Sequence, residues 1–361
     1  MLPIDRQASF SGTKPVTPAL AFDARRLAAY VERRLANFRG PLEVHQFRGG
    51  QSNPTYLLET PAGRFVLRRK PPGKLLPSAH AIDREFRVIS ALHVQGFPVP
   101  APLLYCADAA VIGTPFYIVR HVEGRVIWEP HMPDATRADR AAIYDAMNAA
   151  LARLHGFDPA AIGLSDFGRG ESYVGRQVER WSRQYRASQT ERIDEMERLI
   201  GWLPAHLPRP APVRLVHGDY RLDNIILAPA QPVILAVLDW ELATLGDPLA
   251  DLAYHLMQWD MPPSESGAGT GTLLGHDLGR LGIPSRAEYL AAYVERTGLD
   301  PGPQLPIYLA YNFFRLAAIL QGIVGRVREG TASNENAAAM APLVHPLAAK
   351  AWEFARQVGA L

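Results

Sequence analysis

The chain has 361 residues, a formal net charge of +2 and 48% hydrophobic residues. That is globular composition, long enough for two domains or one two-lobed domain. The near-neutral balance gives no electrostatic case for nucleic acid or an anionic membrane. The single cysteine, Cys106, excludes an internal disulfide and a cysteine-built metal site.

In chain order, residues 1–20 read as a tail without the basic-then-apolar pattern of a secretion signal. No apolar run approaches bilayer-spanning length, so the expected location is cytoplasmic. Residues 22–38 read as a helix, with Asp23 as N-cap and Leu27, Val31, Leu35 and Phe38 on one face. The period then changes to that of strands at 42–47, 55–59 and 64–69, the last two joined by the short turn Thr60-Pro61-Ala62-Gly63 as a hairpin. A helix follows over 81–96, with Ile82, Phe86 and Ile89 inward and Gly96 as its stop. Two more strands fall at 102–106 and 116–122. Beyond Glu123-Gly124 the pattern is mostly helical, at 136–155, 173–187, 190–202, 248–258, 286–297, 306–328 and about 335–357. A strand–loop–strand at 213–239 interrupts it, and Asp247-Pro248 is an N-cap followed by proline at the first helical position. Val178, Trp181, Tyr185, Phe313, Phe314 and Trp352 read as core. The expected fold is α+β and two-lobed. It has an N-terminal tail and helix (1–39), a small antiparallel β N-lobe (40–122) and a larger, mostly α C-lobe (123–361). Ligands often occupy the cleft between two such units.

The polar chemistry concentrates in "LVHGDYRLDNIIL" (215–227) and in the apolar strand that ends at Asp239. Two carboxylates and an amide oxygen, Asp219, Asn224 and Asp239, arrive at what reads as one end of a small sheet. That donor set suits Mg²⁺, which takes one or two carboxylates plus phosphate oxygens, and not zinc. The chemistry it fits is phosphoryl transfer: one carboxylate addresses a hydroxyl, and the other joins the amide in holding metal on the nucleotide phosphates. Taken singly, Asp and Asn in loops are also turn formers and caps. Upstream, "FRGGQSNPTYLLE" (47–59) offers Gly49 and Gly50 for close approach to phosphate, with Ser52 and Asn53 adding polar groups, although Gly-Gly in a hairpin is also simply a turn. Along "FVLRRK", alternation points Val66, Arg68 and Lys70 one way and Phe65, Leu67 and Arg69 the other.

"HGDYRLDN" with "LDWE" resembles the catalytic and metal-binding segments of the aminoglycoside phosphotransferase and choline kinase family, of protein-kinase-like fold, over about residues 40–330. The resemblance implies ATP and Mg²⁺ as cofactors. It makes Asp219 the catalytic aspartate, and Asn224 and Asp239 the metal ligands. His217 packs and holds the loop. Arg68 stands at the position of the family's lysine, paired with Glu85 on the next helix, with Lys70 as a substitute. Val66 roofs the adenine, and backbone groups of Arg120, His121 and Val122 meet its edge. Two features depart from the pattern: arginine replaces lysine, and Asp239-Trp240-Glu241 carries no phenylalanine–glycine pair, which argues against a protein kinase.

Residues 68–92, 122–128, 175–185 and 315–326 sharpen the resemblance towards the branch that includes the kinase-like domain fused to certain acyl-CoA dehydrogenases. That branch is associated with hydroxyacyl-CoA substrates, which implies a small-molecule hydroxyl acceptor of that kind. Arg64, Arg68, Arg69, Lys70 and Lys74 form a local basic cluster that suits an anionic acceptor or, equally, solubilises the surface. The helices beyond residue 260 lack the acidic character that polycationic aminoglycosides demand. Three alternatives remain: a non-catalytic nucleotide-binding member of the fold, an aminoglycoside or amino-alcohol kinase, and a metal-dependent phosphohydrolase.

Overall fold

The computed structural model describes residues 5–49, 53–73, 81–264, 266–267, 269–328 and 337–361. The first departure from expectation is the N-terminus. Residues 5–20 are not a tail. Asp5 caps a short helix α1 (Arg6–Phe10) by accepting from the Ala8 amide, and strand β1 (Thr13–Lys14) joins the sheet edge, Thr13 opposite Phe47. A two-residue strand has no readable period, which hid it from sequence.

Helix α2 (Ala24–Glu32) starts where Asp23 accepts from the Arg25 and Arg26 amides, and it buries Leu27 and Val31. Each contributes about 2 kcal/mol by burial. Strands β2 (Glu43–Phe47), β3 (Thr55–Thr60) and β4 (Gly63–Arg69) follow. β3 and β4 form the expected hairpin, with Thr60 paired to Gly63 across the turn. Helix α3 (Ile82–Val94) crosses to β5 (Pro102–Cys106) and β6 (Phe116–Arg120). The sheet is antiparallel in the order β1-β2-β3-β4-β6-β5.

The alternation on β4 divides two cores. Phe65 and Leu67 enter an outer cluster with Leu27, Val31, Tyr56 and Ile118, and Arg69 is buried on that side with its guanidinium on the Ile112 carbonyl. Val66 packs on the opposite, inner face against the large core.

The C-lobe contains α4 (Arg137–Gly156), α5 (Tyr173–Ser188), α6 (Asp194–Trp202), strands β7 (Arg214–Val216), β8 (Ile225–Leu227), β9 (Ile234–Val237) and β10 (Thr244–Gly246), then α7 (Pro248–Leu256), α8 (Leu278–Leu281), α9 (Arg286–Thr297), α10 (Leu305–Arg328) and α11 (Val344–Arg356). The four strands form two separate ribbons, β10–β7 and β8–β9, not one sheet. β7 pairs with β10, a strand of three residues that sequence periodicity missed.

α10 is long and apolar enough to cross a membrane, against the expectation of no such run. Most of it is buried among α5, α7 and α11, as in the core helix of a globular protein. The main core runs from Ile82, Val88 and Leu92 of α3 through Leu151, Leu252 and Phe313, so α3 belongs to the packing of both halves. Two further links hold the lobes together: the Val237 amide donates to the Pro98 carbonyl at 2.8 Å, and the Phe97 ring meets Trp240 edge-on. The connector is also pinned. Arg125 and Leu227 exchange backbone hydrogen bonds, and a Cβ on Gly124 would run into the Leu227 carbonyl, so glycine is required there.

Candidate active site

The loop after β7 is shaped from below. Gly218 has φ +81°, and a Cβ on it would lie 2.9 Å from the Leu242 carbonyl. The buried carboxylate of Asp251, on α7, accepts the His217 amide at 2.7 Å and the Gly218 amide at 2.8 Å, and it meets His155 Nε2 at 3.1 Å. Burial pushes the Asp251 carboxyl up, but His155 and these amides overcome it and hold it below the usual carboxylate range. Arg315, on α10, donates to the Gly218 carbonyl. His217 is fully buried. Its Nδ1 accepts from the Asp219 amide and its Nε2 donates to the Leu238 carbonyl, which fixes one neutral tautomer in a bracing role.

Asp219 itself is gripped on both oxygens. Arg221 Nε donates to Oδ1 at 3.0 Å and Nη2 to Oδ2 at 3.3 Å. The Tyr254 hydroxyl donates to Oδ1 at 2.5 Å, and the Asn224 amide donates to Oδ2 at 3.0 Å and to the Asp219 carbonyl at 2.9 Å. Burial pushes the carboxyl up, yet Arg221 and the Tyr254 hydrogen bond more than offset it, and Asp219 sits below the ordinary aspartate value.

Asp239 arrives from the second ribbon. Ile225 pairs with Val237, and the Leu238 amide donates to the Asn224 carbonyl, which places the two predicted metal ligands side by side at the ribbon's end. Asp239 is one of three non-glycine residues with positive φ among those described, at φ 61° and ψ 65°. This left-handed turn, which Asp tolerates better than most residues, swings the side chain towards the N-lobe. There Arg68 Nη2 donates to its Oδ1 at 2.7 Å. Arg68 Nε also lies 3.0 Å from Glu85 Oε2, and its Nη2 is 3.4 Å from Glu241 Oε2. The predicted Arg68–Glu85 pair is therefore present, and Lys70 has no salt bridge among the described residues. Glu85, 1% exposed, is further held by the Tyr117 hydroxyl and the Asn53 amide. Burial, with Asp239 nearby, raises the Glu85 carboxyl above its usual value despite Arg68.

Some expected residues sit differently. Asn53 is fully buried and donates to Glu85 and Glu241, so it braces the carboxylates beneath the loop instead of facing phosphate. Gly49 packs on Trp128, where a Cβ would lie 3.1 Å from the ring. Gly50 and Ser52 lie outside the described residues. The Arg120 and His121 amides are committed to the Ala101 and Arg64 carbonyls, because the sheet continues through them. Among the described residues, Val122 is the first of the three whose amide has no backbone partner. Glu241 and Asp251 were missed as site residues. Glu241 was legible only as the third residue of "DWE", and Asp251 carries no local signal at all.

The donor set fits a hard cation. No group of three or more His, Cys, Asp or Glu forms a metal site among the described residues. Mg²⁺ needs none, because one carboxylate, one amide oxygen, phosphate oxygens and water suffice. With its amide nitrogen committed to Asp219, Asn224 keeps Oδ1 for such a role.

Residues 43–303 match the phosphotransferase enzyme family. A mouse relative, acyl-CoA dehydrogenase family member 10, is 45% identical over 351 residues, covering 96% of this chain but 32% of its own length. The chain thus spans about a third of that relative. A solved structure from Ralstonia eutropha, described as a candidate aminoglycoside phosphotransferase, is 44% identical, with TM-score 0.83, covering 93% of this chain and 99% of that one. Choline kinase from Cryptosporidium parvum shares the fold at 12% identity, with TM-score 0.63, covering 93% of this chain and 97% of that one. The α+β, two-lobed arrangement is thus of protein-kinase-like type.

Proposed function

The chain belongs to the phosphotransferase enzyme family, and from that premise we propose that it transfers the terminal phosphoryl group of ATP, with Mg²⁺, to the hydroxyl of a small molecule. One observation carries the reading: Asp219 and Asn224 are hydrogen-bonded to each other, Asn224 is backbone-paired with the residue before Asp239, and Arg68 ties Asp239 to the N-lobe. In the proposed division of labour, Asp219 orients the acceptor hydroxyl and takes its proton late. Its depressed pKa suits a loose transition state that asks for positioning more than for strong base. Asn224 Oδ1 and Asp239 would hold the metal, which would supply positive charge to neutralise the phosphates. Arg68, positioned by Glu85, faces the phosphates, and Val66 with the Val122 amide borders the adenine.

For the acceptor we propose a hydroxyacyl-CoA. Relatives at up to 45% identity carry acyl-CoA in their names. On the C-lobe side, Asp260 is paired with Arg286 and Glu129 with Arg6. Carboxylates already neutralised by arginine make a poor cradle for polycationic aminoglycosides. A non-catalytic reading has one observation in its favour, the direct bond between Arg68 and Asp239, which engages the metal carboxylate. The deciding experiment follows ADP formation by purified protein with hydroxyacyl-CoAs, amino alcohols, sugars and aminoglycosides. Acceptor-dependent ADP only with hydroxyacyl-CoAs is expected. Turnover with aminoglycosides alone would replace the acceptor, and phosphate release from monoesters without ATP would replace the reaction class.

A further inference from the structure

Arg6 lies outside the 43–303 segment that matches the family, yet its residue is only 3% exposed and it ends in the catalytic loop. Its guanidinium donates to the Trp128 carbonyl, stands 3.7 Å from Glu129 Oε1, and reaches Asp223 Oδ2 at 3.4 Å. Asp223, 7% exposed, takes Arg221 Nη1 at 3.1 Å on the same oxygen. Arg221 in turn grips both oxygens of Asp219. The result is a row of alternating charge, Arg6–Asp223–Arg221–Asp219, that starts in α1 and ends at the carboxylate beside the metal ligands. The same helix also touches the glycine loop's wall. Phe10 meets Trp128 at a tilt with ring centroids 5.0 Å apart, Gln7 exchanges hydrogen bonds with the Val126 carbonyl and the Trp128 amide, and Gly49 packs against both Trp128 and the Phe10 carbonyl.

We propose that Arg6 is a positioning residue: by holding Asp223 it keeps Arg221 squarely across Asp219, so the N-terminal segment completes the active site. Asp223 stands between Arg221 and Arg6, with both guanidiniums on its Oδ2. Without Arg6 it has one guanidinium left, the one that Asp219 needs. Asp223 then draws Arg221 towards itself, and Asp219 loses its orientation. The groups facing this row are Glu129, with His131 Nδ1 3.9 Å from it, and Tyr254 on Asp219.

The proposal rests on the phosphotransferase reading. Its test compares wild type with Arg6→Met, Arg6→Lys, Asp223→Asn and the Arg6→Met/Asp223→Asn double variant, using MgATP and the best acceptor found. Arg6→Met is expected to lower kcat by about tenfold or more, because small misplacements of a positioned group cost that much. MgATP affinity, measured by titration calorimetry, stays within about twofold, which also shows the variant folded. Arg6→Lys restores part of the rate. In the Asp223→Asn background, Arg6→Met has little further effect, since the coupling runs through that carboxylate. Wild-type kcat in Arg6→Met, or additive losses in the double variant, would overturn the role of Arg6 alone. A wild-type protein that consumes no ATP with any acceptor would overturn both readings.

Discussion

Around Arg68, a single guanidinium meets three carboxylates: Glu85, Asp239 and Glu241. Around Asp219, carboxylates and guanidiniums alternate one for one, as Asp219, Arg221, Asp223 and Arg6, with Glu129 at the outer end. The two clusters flank the same cleft but are built for different work. The first sets three carboxylates on one guanidinium in a half-dry setting, and Asp239 among them suits a divalent cation and its phosphates. The second is charge-matched, which fixes geometry. A carboxylate held by four donors is oriented, kept ionised and slow to swing.

The largest effect that breaks this contrast is at Arg68. Arg68→Met leaves Glu85 buried without its cation, at a cost of about 3 kcal/mol or more in unfolding free energy, measured by denaturant titration. It also removes the phosphate-facing charge, so kcat/KM for MgATP falls by about a hundredfold or more. An equal loss from Lys70→Met would mean that the wrong cation has been assigned.

The next effect sharpens the second cluster. The Asp219 carboxyl is held below its ordinary value by Arg221 and Tyr254 against burial. A depressed folded-state pKa contributes stability above the ordinary carboxylate range and loses it only as pH falls through the lowered value. The rate should therefore stay flat on Asp219's account down to about pH 5 in wild type. Arg221→Gln should move the acid limb of kcat/KM to higher pH, read from a profile over the acidic range. An unmoved limb would mean that Arg221 does not govern that carboxylate.

The smallest expected effect is at Lys70, half-buried just past the end of the strand that carries Arg68. Lys70→Gln should leave kcat and the MgATP KM within about twofold, and raise KM for a CoA-ester acceptor by a few-fold through one lost screened charge. An unchanged acceptor KM would count against an anionic acceptor near that strand.

The parts of this site that were legible in the sequence share one property, local register. His217, Asp219 and Asn224 sit at fixed spacing in one loop, Asp23 and Asp247 precede their helices, and alternation alone put Arg68 on the inner face of β4 and Arg69 on the outer. What was not legible depends on contacts across the chain. Nothing near Asp251 announces that it caps the His217 and Gly218 amides from 33 to 34 positions away. Arg6 looked like part of a tail because its partners are more than a hundred positions distant. The single-sheet expectation for 213–239 failed because three-residue strands give no period from which to choose a partner. Asn53 was read as a phosphate contact because a polar side chain after glycines invites it, whereas the Glu85 and Glu241 carboxylates beneath the loop claim its amide.

The central claim is that the Asp219–Asn224–Asp239 constellation moves a phosphoryl group onto a hydroxyl. The most direct measurement follows γ-labelled ATP with Mg²⁺ and a hydroxyacyl-CoA, comparing wild type with Asp219→Asn. Label should appear in the acceptor with wild type and fall by about a thousandfold in rate with Asp219→Asn, while both proteins bind MgATP alike. Label transfer at equal rates by the two proteins, or MgATP binding with no transfer to any hydroxyl, would contradict it.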